Sequence, residues 1–556
     1  MKALKAGLLV DGTFSNKYVY ELALWAKDQP SIDISHLIVQ FFHLNSKRGG
    51  IANGGLKQGL YDLLSKISFR LVTSFERLLL RLSRLYADHY QLYDLSKIVG
   101  GIVAIAPVDL DSGSAYQGSV ENIETIRALG LDLLIQCGSI NPPGDILHAS
   151  RLGVICLGQA DSHSIPGTAA GFWECYYEWS QTAFNIYRLT DETGAGEVLV
   201  RGSFRTRYYF SLNQAQLCKK AYAHLRNLLS QIALSGKLPG EKNTPDVYSD
   251  VHFNVKNFPR IHQSIAYGIK LVRRILIKTI RKLLRLEERW GISFLSGNWD
   301  KLEFSRSTEA TLPRGRFWAD PFLWSYGGKT FCFVEDFVYK TNKAHITALE
   351  LTGTKVVEHG IALQEPFHLS FPFLFQYKGD LYMCPESAHS RQIRVYRCAQ
   401  FPLNWVLHRV VMDHVSAVDT MFFEKGGKWW MLTSIDQSET REYGSELYLF
   451  SANSPLETAW VPHPQNPLKI DARGGRNAGL IMDGGKLFRV GQRQGFDRYG
   501  EGLLVYEIKA VSDWTFIEDL VTEINPTFRK GLIGTHHLAS DGKTTVIDHL
   551  SYSFVF

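Results

Sequence analysis

The C-terminal half of the chain carries side chains whose types suit carbohydrate chemistry. Asp320, Glu335, Glu386 and Asp419 are carboxylates, Arg476 and Arg489 fixed cations, and Gln492 and His536 further polar groups. Carboxylates accept hydrogen bonds from sugar hydroxyls, and a pair flanking a glycosidic bond supplies the acid and the base or nucleophile of its hydrolysis. Guanidinium groups donate in pairs to phosphate or carboxylate. The competing arrangement is that these charges pair with one another and merely close an interior. His536, His537 and Asp548 are also metal-ligand types. Neighbouring residues of a strand point to opposite faces, however, so the two imidazoles would not converge on one ion. A satisfied interior histidine is the expectation there, with no metal and no cofactor.

A repeat would bring these residues together. From Trp318 onward five copies recur: WADPFLWSYGGKTFCFVE, SFPFLFQYKGDLYMCPES, AVDTMFFEKGGKWWMLTS, RNAGLIMDGGKLFRVGQ and GTHHLASDGKTTVIDHL. Aligned at Asp320, Pro372, Asp419, Ala478 and His536, they are spaced 52, 47, 59 and 58 residues apart. Each copy reads as an apolar strand, a glycine turn and a second strand, which is a hairpin signal. A period of about 50 residues in an all-β segment indicates propeller blades, here five. The innermost strand comes first in each blade. Asp320, Asp419, Arg476 and His536 would therefore converge on the axis, while Glu335 and Glu386 end the second strands of their hairpins. Trp290–Phe294 is placed to supply the outer strand that closes the last blade.

The opening WADPF resembles the first-blade motif of five-bladed glycoside hydrolases of the arabinanase and xylosidase type. The wider set is similar to the propeller domain of plant glucosamine inositolphosphorylceramide transferase and its bacterial relatives. Phe317–Phe322, Phe333–Glu335, Pro385–Ser387, Val418-Asp419, Arg476–Gly479, Leu487–Gln492 and Tyr499-Gly500 follow that family's order. The hydrolase resemblance implies a base at Asp320 and a pKa-tuning carboxylate at Asp419. It also implies a general acid at the start of the fourth blade, where Arg476-Asn477 stands instead. The implied site has Asp320, Asp419 and Glu386 as catalytic or hydroxyl-accepting groups. Glu335, Arg476, Arg489, Gln492 and His536 would bind substrate.

Residues 1–235 read as α/β. Ala6–Val10, His36–Phe42, Leu131–Gln136 and Gly153–Leu157 are expected strands, with Tyr18–Ala26 helical. Such alternation predicts a doubly wound, mainly parallel sheet. Residues 131–202 are similar to the core of the folate-dependent formyltransferases. That resemblance implies an Asn to polarise the formyl oxygen and a His and Asp to move protons. Cys156, Gly158 and Gly194 stand at those places, and Asp161 and His163 lie a few residues on. The resemblance thus implies a formyltransferase-like shape without the standard chemistry. No G-x-G-x-x-G run follows the first strand, so dinucleotide binding is unsupported.

Two segments show a helix with one apolar face. Tyr61–Leu85 has Leu64, Ile67, Leu71, Phe75, Leu78 and Leu82 at helical spacing. Phe258–Arg289 has Ile265, Ile269, Val272, Leu276, Ile280 and Leu283, with Arg260, Lys270, Arg273, Arg274, Lys278, Arg281, Lys282 and Arg285 before the first acid, Glu287. Such a helix either docks on a core between domains or lies on an anionic membrane surface. With the polar stretch Ser235–Asp250 as linker, the expected division is 1–235, 236–289 and 290–556. A net charge of +6 over 556 residues makes no case for nucleic acid. Seven irregularly spaced cysteines read as free thiols of a reducing compartment. No apolar run is long enough to span a bilayer. The expected location is cytoplasmic, peripheral on the inner membrane face. The expected function is a carbohydrate-active protein, glycosyltransferase-type, acting on or binding a glycolipid or surface-polysaccharide precursor. The partner is a sugar or phosphosugar. The alternatives are a glycoside hydrolase with relocated acid, a sugar N-formyltransferase with a degenerate site, and a non-catalytic glycan-binding scaffold.

Overall fold

Short apolar runs bounded by turn residues become the buried strands of a seven-stranded sheet in the N-terminal part of the chain. The computed structural model describes residues 3–43, 55–81, 83, 85–86, 88–109, 120–138, 144–158, 169–190, 196–240, 258–301 and 303–554. The chain divides into two compact units, the first reaching Val272 and the second starting at Arg273, apart from Ser203–Arg205 and Gln437–Thr440, which group with the opposite unit.

The sheet runs Gly101–Asp109, Ile32–His43, Leu4–Val10, Leu133–Gln136, Val154–Gly158, Gln181–Leu189, Gly196–Arg205. The first five strands are parallel and Gln181–Leu189 is antiparallel to its neighbour. Ala6, Leu8 and Leu9 of Leu4–Val10 are fully buried, as a strand covered on both faces requires. Cys156 and Gly158 lie in the buried strand Val154–Gly158. Asp161, His163 and Gly194 fall outside the described residues.

The α-helices among the described residues are α1 (Lys17–Lys27), α2 (Gly55–Leu80), α3 (Val120–Ala128), α4 (Phe172–Tyr177), α5 (Phe210–Ser235) and α6 (Ile261–Leu283). Asn16 caps α1 by accepting from the Tyr18 and Val19 N–H groups. Helix α2 turns its less apolar side inward. It buries Ser65, Phe69, Thr73, Glu76 and Leu80 and exposes Leu64, Ile67, Leu71, Phe75 and Leu78. The reason is Glu76. Its carboxylate accepts from the Phe210 and Ser211 N–H groups at 3.0 and 2.9 Å, at the start of α5, whose N-cap Tyr209 offers no side-chain bond. A carboxylate at a helix N-terminus satisfies orphan donors and favours the helix dipole. The Tyr267 hydroxyl of α6 donates to the same carboxylate. Phe69, Phe172, Phe210 and Tyr267 pack around it.

After the end of α6, the second unit holds five antiparallel sheets, the blades of a five-bladed β-propeller. Blade 1 comprises Arg316–Tyr326, Lys329–Val338, Lys343–Thr352 and Lys355–Leu363. Blade 2 comprises Ser370–Tyr377, Asp380–Glu386, Gln392–Gln400 and Asn404–Asp413. Blade 3 is built on Ala417–Lys425, Lys428–Ile435 and Glu446–Ala452. Blade 4 comprises Arg473–Asp483, Lys486–Gly495, Arg498–Val511 and Phe516–Ile524. Blade 5 joins Leu532–Gly534 and Leu538–Ser540 to Thr544–Phe554, and Leu286–Ser296, from the other end of the unit, pairs along the whole of that last strand. Blades 1 to 3 share one core, in which Phe333, Phe371, Met383, Met421 and Met431 are fully buried.

The first strands of blades 1, 2 and 3 carry the same irregularity. Register shifts between Ala319 and Phe322, between Ser370 and Phe373, and between Val418 and Met421. Asp320, Phe371 and Asp419 take φ of 48°, 45° and 51° there. Non-glycine residues rarely adopt this conformation; here a bulge holds each one at the axis. The slot equivalent to Asp320 in blade 2 is therefore Phe371, one residue before the Pro372 chosen by alignment.

Candidate functional site

The bulges aim Asp320 and Asp419 at the propeller axis, and each is held by the opening of a different blade. The Phe371 N–H donates to Asp320 Oδ2 at 3.1 Å. His536 Nε2 lies 3.2 Å from Asp320 Oδ1, and His536 Nδ1 lies 2.7 Å from Asp548 Oδ2. Asp548 Oδ1 accepts from the His536 and His537 N–H groups at 2.8 and 2.9 Å. His536 thus sits between two buried carboxylates. Burial works to lower its pKa, but Asp548 and Asp320 overcome it and raise it to about 10. Burial likewise works against ionised Asp320, yet His536 holds its pKa down at about 2. Burial keeps His537 neutral, with a pKa of about 4.

Asp320, His536 and Asp548 offer three metal-ligand atoms within 4.8 Å of one another. Each His536 ring nitrogen already faces a carboxylate, so a cation there would have to displace the imidazolium proton. The two adjacent histidines do not diverge as a regular strand would make them. The strand is interrupted at residues 535–537, and His537 Nδ1 also comes within 3.7 Å of Asp320 Oδ1.

The second group is centred on Arg476. Its guanidinium grips Asp419 with two bonds, Nε to Oδ2 and Nη2 to Oδ1 at 3.2 Å, and Nη2 also donates to Glu386 Oε2 at 3.2 Å. The Tyr499 ring lies 4.8 Å from its charge centre. Burial disfavours the guanidinium charge, but Asp419 lifts the Arg476 pKa well above its ordinary value. Gln492 donates to Asp419 Oδ2 and to the Asn477 carbonyl, and Asn477 donates to the Asp419 carbonyl. These bonds stitch blade 3 to blade 4.

A third pair stands at blades 1 and 2. His368 Nε2 faces Glu335 Oε1 at 3.3 Å, and its Nδ1 accepts from the Ala344 N–H. That acceptance leaves the ring proton on Nε2, pointing at Glu335. Burial raises the Glu335 pKa, against the pull of His368.

Accessibility separates floor from rim. The side chains of Asp419 and His536 are 1% and 3% exposed. Those of Glu335, Arg476, Glu386 and His368 are 11%, 14%, 15% and 26% exposed. Of the residues expected at the site, the structure brings together Asp419, Arg476, Glu386 and Gln492 in one network and Asp320 with His536 in another. Arg489 is not among them. It is fully buried and paired through two bonds with Glu518, which also binds Lys469, so its donors are taken inside blade 4. Gln492 and His536 belong to the floor, where they hold carboxylates. Sequence reading missed His368, Tyr499 and Trp290. The Trp290 ring lies 3.9 Å from that of His536. The signal for His368 was its place immediately ahead of an axial strand.

The first unit has a concavity of about 460 Å³ lined by Arg127, His148, Arg151 and Arg188. Its arginines already pair with Glu124, Asp132 and Glu197, so its cationic lining is already compensated.

Residues 302–534 match the family described as glucosamine inositolphosphorylceramide transferase 1, N-terminal. The protein named glucosamine inositolphosphorylceramide transferase 1 from Oryza sativa subsp. japonica is 34% identical over 256 residues, covering 43% of this chain and 34% of the relative. That of Arabidopsis thaliana is 35% identical over 229 residues, covering 40% of this chain and 29% of the relative. The chain spans about a third of the length of the curated relatives it matches. Among solved structures, a family 117 glycoside hydrolase of Zobellia galactanivorans aligns with a TM-score of 0.33 and 12% identity, over 49% of this chain and 92% of its own. A β-fructofuranosidase of Bombyx mori aligns with a TM-score of 0.31 and 16% identity, over 50% of this chain and 61% of its own.

Proposed function

We propose that the propeller axis receives a sugar of a glycolipid or surface-polysaccharide precursor, and that the protein serves glycosyl transfer to or from it at the cytoplasmic membrane face. The observation that carries this reading is the partly open rim of Glu335, His368, Glu386 and Arg476 above a closed, ion-paired floor. A purely architectural cluster has no need of an accessible upper layer. Among the described residues, the five carboxyl groups of Asp320, Glu335, Glu386, Asp419 and Asp548 share this region with Arg476, the His536 imidazolium and His368, whose pKa Glu335 raises against burial. A site of that balance favours hydroxyl or amino groups over phosphate, which redirects the expected role of Arg476 from phosphate donor to organiser of Glu386 and Asp419. The similarity to transferases whose name includes glucosamine is consistent with an amino sugar as ligand.

Isothermal calorimetry of the full chain against amino-sugar nucleotides, inositol-phosphate glycans and bare nucleoside diphosphate tests it. Binding of the sugar-bearing compounds, reduced about tenfold or more by Glu386→Gln through loss of a charged hydrogen-bond acceptor, is expected. Bare diphosphate should give no heat. Silence from every sugar compound, with the protein folded by near-ultraviolet circular dichroism, would falsify the reading.

Hydrolysis is the second reading, favoured by one observation. Asp320 and Glu335 stand in adjoining strands of blade 1 with pKa values pushed in opposite directions, the pattern of an acid and base pair. Reducing-sugar release from arabinan, xylan or fructan that disappears in Asp320→Asn would support it, and full activity in that variant excludes Asp320 as base. For the first unit we infer a formyltransferase-like shape, supported by the parallel order with an antiparallel edge. With Cys156 and Gly158 at two of the chemical positions, no consumption of formyl-tetrahydrofolate with an amino sugar is expected.

A further inference from the structure

Helices α2 and α6 both face the wrong way for a soluble core. In α2, Leu60, Leu64, Ile67, Leu71, Phe75 and Leu78 are exposed, Leu71 by 68%, while Ser65, Thr73 and Glu76 are buried. In α6, Ile265, Ile269, Val272, Leu276, Ile280 and Leu283 are exposed, Ile269 by 64%, while Ser264, Tyr267 and Leu271 are buried. At about 100° per residue each exposed set falls within a stripe of about 80°, opposite the buried set. The helices are neighbours: the Tyr267 hydroxyl bonds Glu76, and a side chain at Gly268 would meet Val72 at 3.5 Å. A polar and aromatic seam joins them, and two aliphatic stripes are left uncovered. Exposed apolar stripes of this length mark an interaction site.

Charge identifies the occupant. Helix α6 contains no acidic residue, and Arg273, Lys278 and Lys282 are exposed beside or behind its stripe. On α2, Lys66, Arg70 and Arg77 lie along one flank. A second copy of this chain would bring the same uncompensated cations together. An anionic interface attracts all of them, and an aliphatic stripe edged by Lys and Arg is the composition of a helix lying in the headgroup layer. No described helix is long and apolar enough to cross a bilayer, so the mode is lying on it. We infer that, within the first unit, the apolar stripe of α2 and the Ile265, Ile269 and Val272 stripe of α6 seat the protein on an anionic lipid surface.

Cosedimentation of the full chain with vesicles of phosphatidylcholine, with and without about 30% phosphatidylserine, tests this. Partitioning should be at least about tenfold stronger with the anionic lipid and fall steeply with salt, as charge attraction screened over a Debye length requires. The double variant Leu71→Glu, Ile269→Glu should lose at least about tenfold of that partitioning through its apolar contacts. Its thermal midpoint should not change, because both positions are exposed. A chain that stays in the supernatant with anionic vesicles overturns the inference, as does binding indifferent to the double variant. A concentration-dependent dimer broken by that variant, without lipid binding, assigns the surface to self-association and overturns it too. The sugar titrations need no lipid, so either reading can fail without the other.

Discussion

At the axis, His536 ties two carboxylates together, and this pairing gives a pH signature. Its pKa rises from 6.5 in the unfolded chain to about 10 in the fold. The stabilisation is therefore complete below pH 6.5 and is lost as pH climbs toward 10. The Asp320 contribution runs the other way. It is complete above 3.8 and is lost as pH falls toward 2. Melting temperatures followed across pH should show a decline between 6.5 and 10 that His536→Gln removes. The same variant should cost about 3–5 kcal/mol near neutrality, because it removes the cation shared by two buried carboxylates. An unchanged slope in His536→Gln would exclude the imidazolium. Much of this cluster was legible in the sequence, because Asp320, Asp419, Arg476 and His536 stand at or beside the matching slots of a visible repeat. What a repeat does not encode is the partner. Arg489 had the right chemistry but faces Glu518, and His368 belongs to no repeated slot. The blade-2 bulge falls on Phe371 because backbone geometry, rather than residue type, defines the position.

Among the elements, the buried carboxylate of Glu76 does more to orient its helix than the leucines do. It terminates α5 from outside and receives the Tyr267 hydroxyl. Glu76→Ala would strand the Ser211 N–H in the interior, leave the Phe210 N–H with only the Tyr267 hydroxyl, and take away the acceptor of that hydroxyl, at about 1–3 kcal/mol for a stranded donor. A drop of about 3 kcal/mol in unfolding free energy by urea titration is expected, while Glu76→Gln, which keeps an acceptor, should lose clearly less. Equal losses in the two variants would show that packing, not acceptance, is what matters. Helical periodicity grouped the apolar residues that share one face of each helix, apart from Leu82, which lies outside the described residues. It could not say that they point outward, since a period reports which residues share a side and not which side is covered. The same reasoning explains why the strands of the first unit were easy to place: a short run that is apolar on both faces has no outward alternative.

Across the molecule as a whole, packing and ion pairs stand in for covalent links. All seven cysteines are free thiols, six of them buried, and burial pushes those of Cys137, Cys156 and Cys218 up to about 12. Thermal midpoints with and without reductant should coincide within error, and a shift on reduction would reveal an unexpected bridge. The passage from an α/β region to a β-propeller was readable from the change between alternating strands and helices and a hairpin repeat. The closing strand of the propeller has a last implication. Leu286 lies in register with Phe554 on adjacent strands of blade 5, so the ring has its beginning and end side by side. A circular permutant opened at the Gly353 turn, with these two ends joined by a short linker, would keep every blade and every axial residue in place. Blade number, in that sense, is a property of the thread and not of the wheel.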